Sequence, residues 1–255
     1  MDFKTPFFKY VATGNDFILV EDYDETFPLS KELIQHICER KSSIGADGLL
    51  LLQHSAIADV KMRIFNQDGS EATMCGNGLR CVIKHLQKSS TIETKGGLSE
   101  GEYSEEVIQV TLPKAQILKN NIPLPNDLSG DLADTGTPHL VIEGNLQENQ
   151  QLALELRHSP LFEPGGVNVN VFQIRPEGIY IRTFEKGVEE ETESCGTGGA
   201  AVSLLIYKRY KTNPIKIHFP KTSLTYHYDS KERLWLQGPA SLSFEGIFHY
   251  KFKLL

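Results

Sequence analysis

The chain repeats a short series of landmarks at a nearly constant distance, and this repeat restricts the folds that it can adopt. Three segments recur in the same order, at offsets of 122, 119 and 120 residues: Gly14-Asn-Asp-Phe and Gly136-Thr-Pro-His, Arg63-Ile-Phe-Asn and Arg182-Thr-Phe-Glu, Cys75-Gly-Asn-Gly and Cys195-Gly-Thr-Gly. Offsets that agree to within three residues indicate two domains of like fold. We expect these domains to face each other across a cleft, with one cysteine on each wall.

Each repeated cysteine stands before a glycine-rich turn that leads into an apolar helix. Apolar residues in 77–88 have helical spacing, whereas those in 197–210 lie nearly all round the helix, which predicts a wholly buried helix. Asn120 to Asp127 is rich in proline and asparagine and is interpreted as a linker. We therefore predict an N-terminal domain over 1–117, rejoined by the last strand at about 246–255, and a C-terminal domain over 118–245.

Composition argues against several classes of protein. The chain has 255 residues and a net charge of -7, without a cluster of Lys or Arg that could follow a phosphate backbone, so nucleic acid is not an expected partner. Its longest apolar run, 200–207, is too short to span a bilayer, and the N-terminus lacks the pattern of a signal peptide, so we expect a soluble cytoplasmic protein. Its four cysteines form no CxxC pair, which predicts thiols rather than a metal site.

The position of the two repeated cysteines suggests acid–base chemistry. A thiol at a helix start faces unpaired N–H groups, which can lower its pKa from about 8.5 to roughly 3.5–7.5. Inverting a carbon centre requires a base on one face and an acid on the other, and a thiolate and a thiol meet that requirement. The helix starts at Gly76-Asn77 and Gly196-Thr197 could hold a substrate carboxylate between them. We find no nucleotide or pyridoxal-phosphate motif, so the sequence predicts a racemase without a cofactor.

Five segments together resemble the diaminopimelate epimerase family along nearly the whole chain: ATGNDF, RIFNQDGSEATMCGNGLRC, GTPH, VNVNVFQI and FEKGVEEETESCGTGGAA. The resemblance implies an α/β (α+β) fold of two pseudo-symmetric domains, each a β-sheet wrapped around a central helix, with the active site in the cleft between them. It implies a homodimer that interconverts LL- and meso-2,6-diaminopimelate in lysine biosynthesis, without a cofactor or a metal.

The resemblance also assigns roles by motif position. Cys75 and Cys195 become the catalytic thiols, and His139 and Glu185 tune their pKa values. The implied substrate-binding residues are Asn15, Asn66, Gly76, Asn77, Asn168, Glu185, Lys186, Gly196 and Thr197. Three positions depart from the family, which often has glutamine in place of Gly48, often asparagine in place of Thr137 and usually arginine in place of Lys186. These departures concern substrate recognition rather than the acid–base chemistry.

Other interpretations of the same residues remain open. Taken singly, either repeated cysteine could be a buried structural thiol, and His139 an ordinary buried histidine. Cys38 and Cys81 have helical spacing with apolar residues and are expected to be core residues. A related proline or hydroxyproline racemase is an alternative function, whereas isomerases of the phenazine-biosynthesis type lack the cysteine pair. A binding protein or a thiol redox protein is a further alternative, although redox cysteines usually stand adjacent as CxxC.

Overall fold

The computed structural model describes residues 2–162, 166–186 and 191–251, which form eighteen strands, four α-helices and one short 3-10 helix. The helices are α1 (Lys31–Cys38), α2 (Gly76–Leu86), α3 (Gln150–Arg157) and α4 (Gly196–Tyr210), with the 3-10 turn at Pro160–Phe162. The strands are β1 (Asp2–Ala12), β2 (Asn15–Glu21), β3 (Gly48–Gln53), β4 (Val60–Asn66), β5 (Glu71–Ala72), β6 (Ser90–Thr94), β7 (Gly97–Tyr103), β8 (Ile108–Thr111), β9 (Gln116–Pro123), β10 (Ser129–Asp134), β11 (Pro138–Glu143), β12 (Asn168–Arg175), β13 (Gly178–Phe184), β14 (Glu191–Thr192), β15 (Ile215–His218), β16 (Ser223–Tyr228), β17 (Leu234–Gln237) and β18 (Ser241–Lys251).

The chain divides into two compact units. Unit 1 comprises the residues up to Val110 together with those from Gly238 onward, and unit 2 comprises Thr111–Gln237. These divisions come a few residues before the boundaries expected at 117/118 and 245/246. The strand expected at about 246–255 corresponds to β18, which already begins at Ser241; residues 252–255 lie outside the described part of the chain.

Unit 1 is a mixed sheet built around α2. β1 pairs antiparallel with both β18 and β2, and β2 runs parallel to β3. β4 is antiparallel to β3 and parallel to β6, and β7 continues the sheet between β6 and β8. Helix α2 contacts β1, β4, β7 and β18, while α1 packs against β3 on the other face. The sheet therefore wraps the helix that follows Cys75.

Unit 2 repeats this arrangement strand for strand. β10 is antiparallel to both β9 and β11, and β11 runs parallel to β12. β13 is antiparallel to β12 and parallel to β15, which is followed by the antiparallel strands β16 and β17. Helix α4 contacts β9, β11, β12, β15, β16 and β17, and α3 packs on β12 and β13. The repeat in the sequence is thus a repeat of topology, and the fold is the predicted mixed α/β class.

Glycines at the start of α4 let it sit deep in its sheet. A Cβ on Gly199 would lie 2.7 Å from Cζ of Tyr226 and 2.9 Å from Cζ of Phe219, so no larger residue fits there. The hydroxyl of Tyr226 donates to the carbonyl of Gly196 at 2.8 Å, which fixes the first turn of the helix. Residues 198–206 of α4 are all buried, as the all-round apolar pattern predicted.

Sequence motifs predicted the start of a helix correctly at Ser30 but misassigned the segment 120–127. Ser30 caps α1 by accepting a hydrogen bond from the backbone N–H of Leu33, as its sequence position predicts. The prediction of a linker over Asn120–Asp127 is wrong. The first residues of this segment belong to β9, which pairs antiparallel with β10. Pro123 ends that strand, and the remaining residues form the β9–β10 connection. None of the described helices is long and apolar enough to cross a bilayer.

Candidate active site

The predicted residues of unit 1 meet at the start of α2. Cys75 is the half-buried N-cap residue of this helix, and Gly76 and Asn77 form its first turn. The turn between β1 and β2 brings Asn15 to the same place, because the side-chain amide of Asn77 donates to Oδ1 of Asn15 at 2.7 Å. The first backbone N–H groups of a helix have no acceptor within the helix. This unit 1 cluster (Asn15, Cys75, Gly76 and Asn77) therefore combines a thiol with hydrogen-bond donors suited to an anion.

A buried arginine holds the unit 1 cluster in place. Arg80 on α2 is fully buried, and its Nη2 donates to Oγ1 of Thr13 and to Oδ1 of Asn77, each at 2.7 Å. Oγ1 of Thr13 also donates to Oδ1 of Asn77 at 3.0 Å. The side-chain oxygen of Asn77 thus accepts two internal hydrogen bonds, and its amide nitrogen is bound to Asn15. What Asn77 offers to a ligand is therefore its backbone N–H and the second hydrogen of its side-chain amide.

An acidic group fixes the orientation of Asn15. Its Nδ2 donates to Asp47 at 3.0 Å, while its Oδ1 accepts from Asn77, so nitrogen and oxygen are distinguished by their partners. Arg40 in turn binds Asp47 at 2.6 Å and Asp16 at 2.7 and 2.9 Å. One amide hydrogen of Asn15 remains for a ligand.

Asn66 and Gly48 lie opposite each other where β4 ends and β3 begins. The amide of Asn66, which is exposed, donates to Oγ of Ser70 at 3.0 Å. A Cβ on Gly48 would stand 2.5 Å from the carbonyl oxygen of Phe65. The glutamine that the family often has at position 48 would therefore require a shift of the β4 backbone in this chain.

The predicted residues of unit 2 meet at the equivalent place, the start of α4. Cys195 is its N-cap residue, and its sulfur accepts a hydrogen bond from the backbone N–H of Gly198 at 3.3 Å. The hydroxyl of Thr197 lies 3.4 Å from the same sulfur. Cys195 is also hydrogen-bonded to the carboxyl of the half-buried Glu185, which receives a further bond from Thr192 at 3.4 Å. These residues form the unit 2 cluster (Glu185, Cys195, Gly196 and Thr197).

The prediction that the helix start lowers the pKa of Cys195 is wrong. Burial, followed by the negative charge of Glu185 and the hydrogen bond to it, raises the pKa of Cys195 well above its usual range. The hydrogen bonds from Thr197 and Gly198 act in the opposite direction but are outweighed. Burial also raises the pKa of Glu185. In this structure Cys195 is accordingly a thiol, and the group beside it that can accept its proton is Glu185.

His139 is a fully buried residue of β11 that pairs in register with Asn168 of β12. Its Nδ1 lies 2.9 Å from the amide nitrogen of Asn170. Burial lowers the pKa of His139 to about 3, so the ring is neutral at physiological pH. Its role beside a thiol remains a prediction, because Glu185 is the titratable neighbour that acts on Cys195.

Asn168 joins two segments of unit 2. Its amide nitrogen donates to Oγ1 of Thr137 at 2.9 Å and to the carbonyl of Pro138 at 3.1 Å, and its Oδ1 accepts from the backbone N–H of Lys186 at 2.9 Å. The side chain of Lys186 is exposed. Thr137, one of the departures from the family, is thus a partner of Asn168. Residues 187–190, which follow Lys186, lie outside the described part of the chain.

Several participants were not predicted from the sequence. Arg80, Thr13 and Asp47 organise the unit 1 cluster, and Asn170 contacts His139. The only available signal was position: Arg80 stands one helical turn after the Gly76-Asn77 pair, and Asn170 alternates with Asn168 on one strand. Cys38 and Cys81 are core residues as predicted; burial raises the pKa of Cys38 to about 11 and that of Cys81 further.

Comparisons with known proteins agree with the resemblance noted in the sequence. The family model described as diaminopimelate epimerase matches residues 7–117 and 132–243. The chain is 35% identical to a diaminopimelate epimerase from Flavobacterium psychrophilum, over 93% of this chain and 98% of the relative. It is 33% identical to one from Methanocella arvoryzae, over 99% of each chain.

Solved structures of lower identity share the fold. A phenazine biosynthesis protein of the PhzF family from Enterococcus faecalis has a TM-score of 0.73 at 16% identity, over 96% of this chain and 99% of its own. A hydroxyproline epimerase from Agrobacterium vitis, with bound trans-4-hydroxy-L-proline, has a TM-score of 0.70 at 14% identity, over 96% and 92%. At such identities the likeness concerns architecture alone.

Proposed function

Because the chain belongs to the diaminopimelate epimerase family, we propose that Cys75 and Cys195 are the two acid–base groups that interconvert LL- and meso-2,6-diaminopimelate. The enzyme is an isomerase, and its reaction belongs to lysine biosynthesis. The observation that supports the assignment most strongly is the equivalence of the two thiols. Each is the N-cap residue of the central helix of its unit, at the same point of the same topology.

The proposed step removes one proton from one face of the substrate's α-carbon and adds another proton to the opposite face. One sulfur, as thiolate, takes the α-proton, and the other, as thiol, delivers its own proton to the opposite face. Glu185 accepts the proton of Cys195 when that residue must be the base, because the two side chains are hydrogen-bonded, with Cys195 buried and Glu185 half-buried. The direction of the reaction then decides which sulfur is protonated, and no net proton is gained or lost.

Negative charge that develops on the substrate carboxylate needs fixed donors. The first-turn N–H groups of α2, at Gly76 and Asn77, and those of α4, at Gly196 and Thr197, are the donors that we assign to it. They require no reorganisation during the reaction, because Arg80 holds one helix start and Tyr226 holds the other. No cofactor takes part in the proposed step.

The remaining polar residues recognise the rest of the substrate. Asn15 retains one amide hydrogen for this purpose, and Asn66 is exposed beside Ser70. Asn168 is bonded to Thr137 and Lys186, so it positions these two residues as well as presenting its own oxygen. We assign the distal carboxylate to Lys186, whose exposed ammonium supplies the charge.

Alternative functions have weaker support. Proline and hydroxyproline racemases share the fold at 14–16% identity, whereas named diaminopimelate epimerases reach 35% over nearly the whole chain. A redox protein would use an adjacent cysteine pair, and the four cysteines of this chain are all thiols. We further propose a cytoplasmic homodimer that binds neither nucleic acid nor membranes. Leu242 and Ile247, which pair with Tyr10 and Pro6 on one face of β18, are exposed apolar side chains that a second copy would cover.

Substrate in deuterated water tests the two-thiol assignment. Starting from LL-diaminopimelate, meso product should carry deuterium at the inverted centre, because the donating thiol is not the sulfur that removed the proton. Cys75→Ala and Cys195→Ala should each abolish epimerisation, and the matched core variants Cys38→Ala and Cys81→Ala should retain it. Turnover by Cys195→Ala would refute the assignment, and equal activity on proline would favour the alternative substrate.

A further inference from the structure

The side-chain amide of Asn170 has a defined orientation beside His139. Its Nδ2 lies 3.4 Å from the carbonyl oxygen of Leu140, and its Oδ1 accepts from Oγ1 of Thr183 at 3.0 Å. A carbonyl oxygen only accepts, so rotating the amide by half a turn would place two oxygens against each other. The amide also has little room, because a Cβ on Gly198 of α4 would stand 3.3 Å from Cγ of Asn170. The nitrogen of Asn170 is therefore the atom that faces His139.

This orientation determines which nitrogen of His139 carries the proton. The amide nitrogen of Asn170 has hydrogens but no acceptor lone pair, and it lies 2.9 Å from Nδ1 of the ring. Nδ1 must accept that hydrogen bond, so in a neutral imidazole the proton is on Nε2. Nε2 is buried and has no hydrogen-bond partner among the described residues. The ring thus carries a buried N–H donor that the described protein groups do not satisfy.

We propose that Asn170, oriented by the carbonyl of Leu140 together with Thr183, is a positioning residue that keeps His139 as the neutral Nε2–H tautomer, a fixed hydrogen-bond donor rather than a proton acceptor. The proposal rests on the proposed function and on the role beside the thiols that the family resemblance implies for His139. A donor of this kind stabilises an acceptor that bears negative charge during the reaction, a thiolate or a carboxylate oxygen. The two titratable residues of unit 2 that the resemblance assigns to the thiols then differ in kind, because Glu185 accepts a proton and His139 donates a hydrogen bond.

The tautomer is accessible to direct measurement. Long-range ¹H–¹⁵N correlation spectra of ¹⁵N-histidine-labelled enzyme distinguish the Nε2–H, Nδ1–H and doubly protonated rings. The chain has eight histidines, so His139 is assigned from the signal that disappears in His139→Gln. We expect the Nε2–H pattern for His139, unchanged from about pH 5.5 to 8.5, because burial disfavours the charged ring. An Nδ1–H or doubly protonated ring at pH 7 would overturn the proposal.

Asn170→Asp supplies the matched perturbation. A carboxylate has nearly the shape of the amide but only accepts, so it should draw the proton to Nδ1 and change the tautomer pattern. We expect kcat to fall roughly 10- to 100-fold with a smaller change in KM, the scale of one hydrogen bond to a charged group. Thr183→Val is the control, because the carbonyl of Leu140 still orients Asn170 and the Nε2–H pattern should remain.

The outcomes separate the two proposals. If Asn170→Asp folds and keeps the Nε2–H pattern, the positioning role of Asn170 is refuted whatever its activity. If Asn170→Asp does not fold, the spectrum of the wild-type enzyme decides the tautomer without it. Failure of the two-thiol function would instead appear as turnover by Cys75→Ala or Cys195→Ala, a result that does not depend on the ring of His139.

Discussion

Replacing Glu185 by glutamine should affect catalysis and thiol reactivity in opposite directions. Glutamine has the size of glutamate and retains an oxygen for the hydrogen bond from Thr192, but it cannot take a proton from Cys195. Burial is the first cause of the raised pKa of Cys195, and Glu185 supplies the next two, its charge and its hydrogen bond. In Glu185→Gln the pKa of Cys195 should therefore fall, while burial keeps it above the usual range.

The magnitude follows from the loss of the base. A positioned general base contributes about 10²- to 10⁴-fold to a rate, or roughly 2.7–5.5 kcal/mol of barrier at about 1.36 kcal/mol per factor of ten. We expect kcat/KM of Glu185→Gln to fall by that factor. Epimerisation of LL-diaminopimelate and deuterium uptake from solvent measure it. Alkylation of Cys195 by iodoacetamide at pH 8, followed by peptide mapping, should be faster in Glu185→Gln than in the wild type.

The control is Glu193→Gln, which removes a carboxylate two residues before Cys195. Glu193 is exposed and ion-paired with Lys221, and it is not among the causes of the pKa shift of Cys195. Neither catalysis nor alkylation should change in this variant. Slower alkylation together with slower catalysis in Glu185→Gln would show structural damage, and unchanged catalysis would remove Glu185 from the mechanism.

Three further changes test the site and the fold. Lys186→Ala should lower kcat/KM for diaminopimelate roughly 10- to 200-fold, mostly through KM, because a substrate carboxylate loses a charged partner worth about 1.5–3 kcal/mol; an unaffected variant would place the distal carboxylate elsewhere. Ser30→Ala should lower the free energy of unfolding in urea by about 1 kcal/mol through loss of the α1 cap, with activity unchanged. The third change is at Asp16. Burial raises the pKa of Asp16, but hydrogen bonds and charges from Arg40 and Lys9 outweigh burial and hold this pKa below its usual range. The stability that Asp16 contributes is therefore present above about pH 4 and lost as the pH falls through the folded pKa, so acid unfolding curves of Asp16→Asn should decline less over that range.

Patterns that are local in the chain predicted much of the fold. Ser30 marked the start of α1, and the glycines after Cys75 and Cys195 marked the starts of α2 and α4. The offset repeat predicted two units of equal topology, because insertions between the landmarks are small. The linker at Asn120–Asp127 was misjudged because asparagine and proline disfavour a strand locally, whereas pairing with β10 outweighs that preference in the folded unit.

Properties that depend on tertiary contact could not be predicted in the same way. A helix start favours a thiolate, but the pKa of Cys195 depends more on burial and on Glu185, ten residues away in sequence. The contact between Asn170 and His139 joins residues 31 apart on neighbouring parallel strands. The sequence gives no sign that Arg80 differs from other helix residues; its role depends on the hydrogen bond to Thr13, in the turn between β1 and β2. In each case the sequence supplied the residue, and only the packing supplied its partner.

The pairing of β1 with β18 affects the order in which the protein can fold during synthesis. Phe3 pairs with Tyr250 and Phe7 with Gly246, so one edge of unit 1 joins segments more than 230 residues apart. All of unit 2 lies between them and leaves the ribosome before β18 does. Unit 2 can therefore fold while β1 is paired only with β2 and its other edge is still open, and a contact of such long range as β1–β18 forms slowly. Unpaired strand edges favour aggregation, so nascent chains stalled before Ser241 should engage chaperones more than full-length chains do.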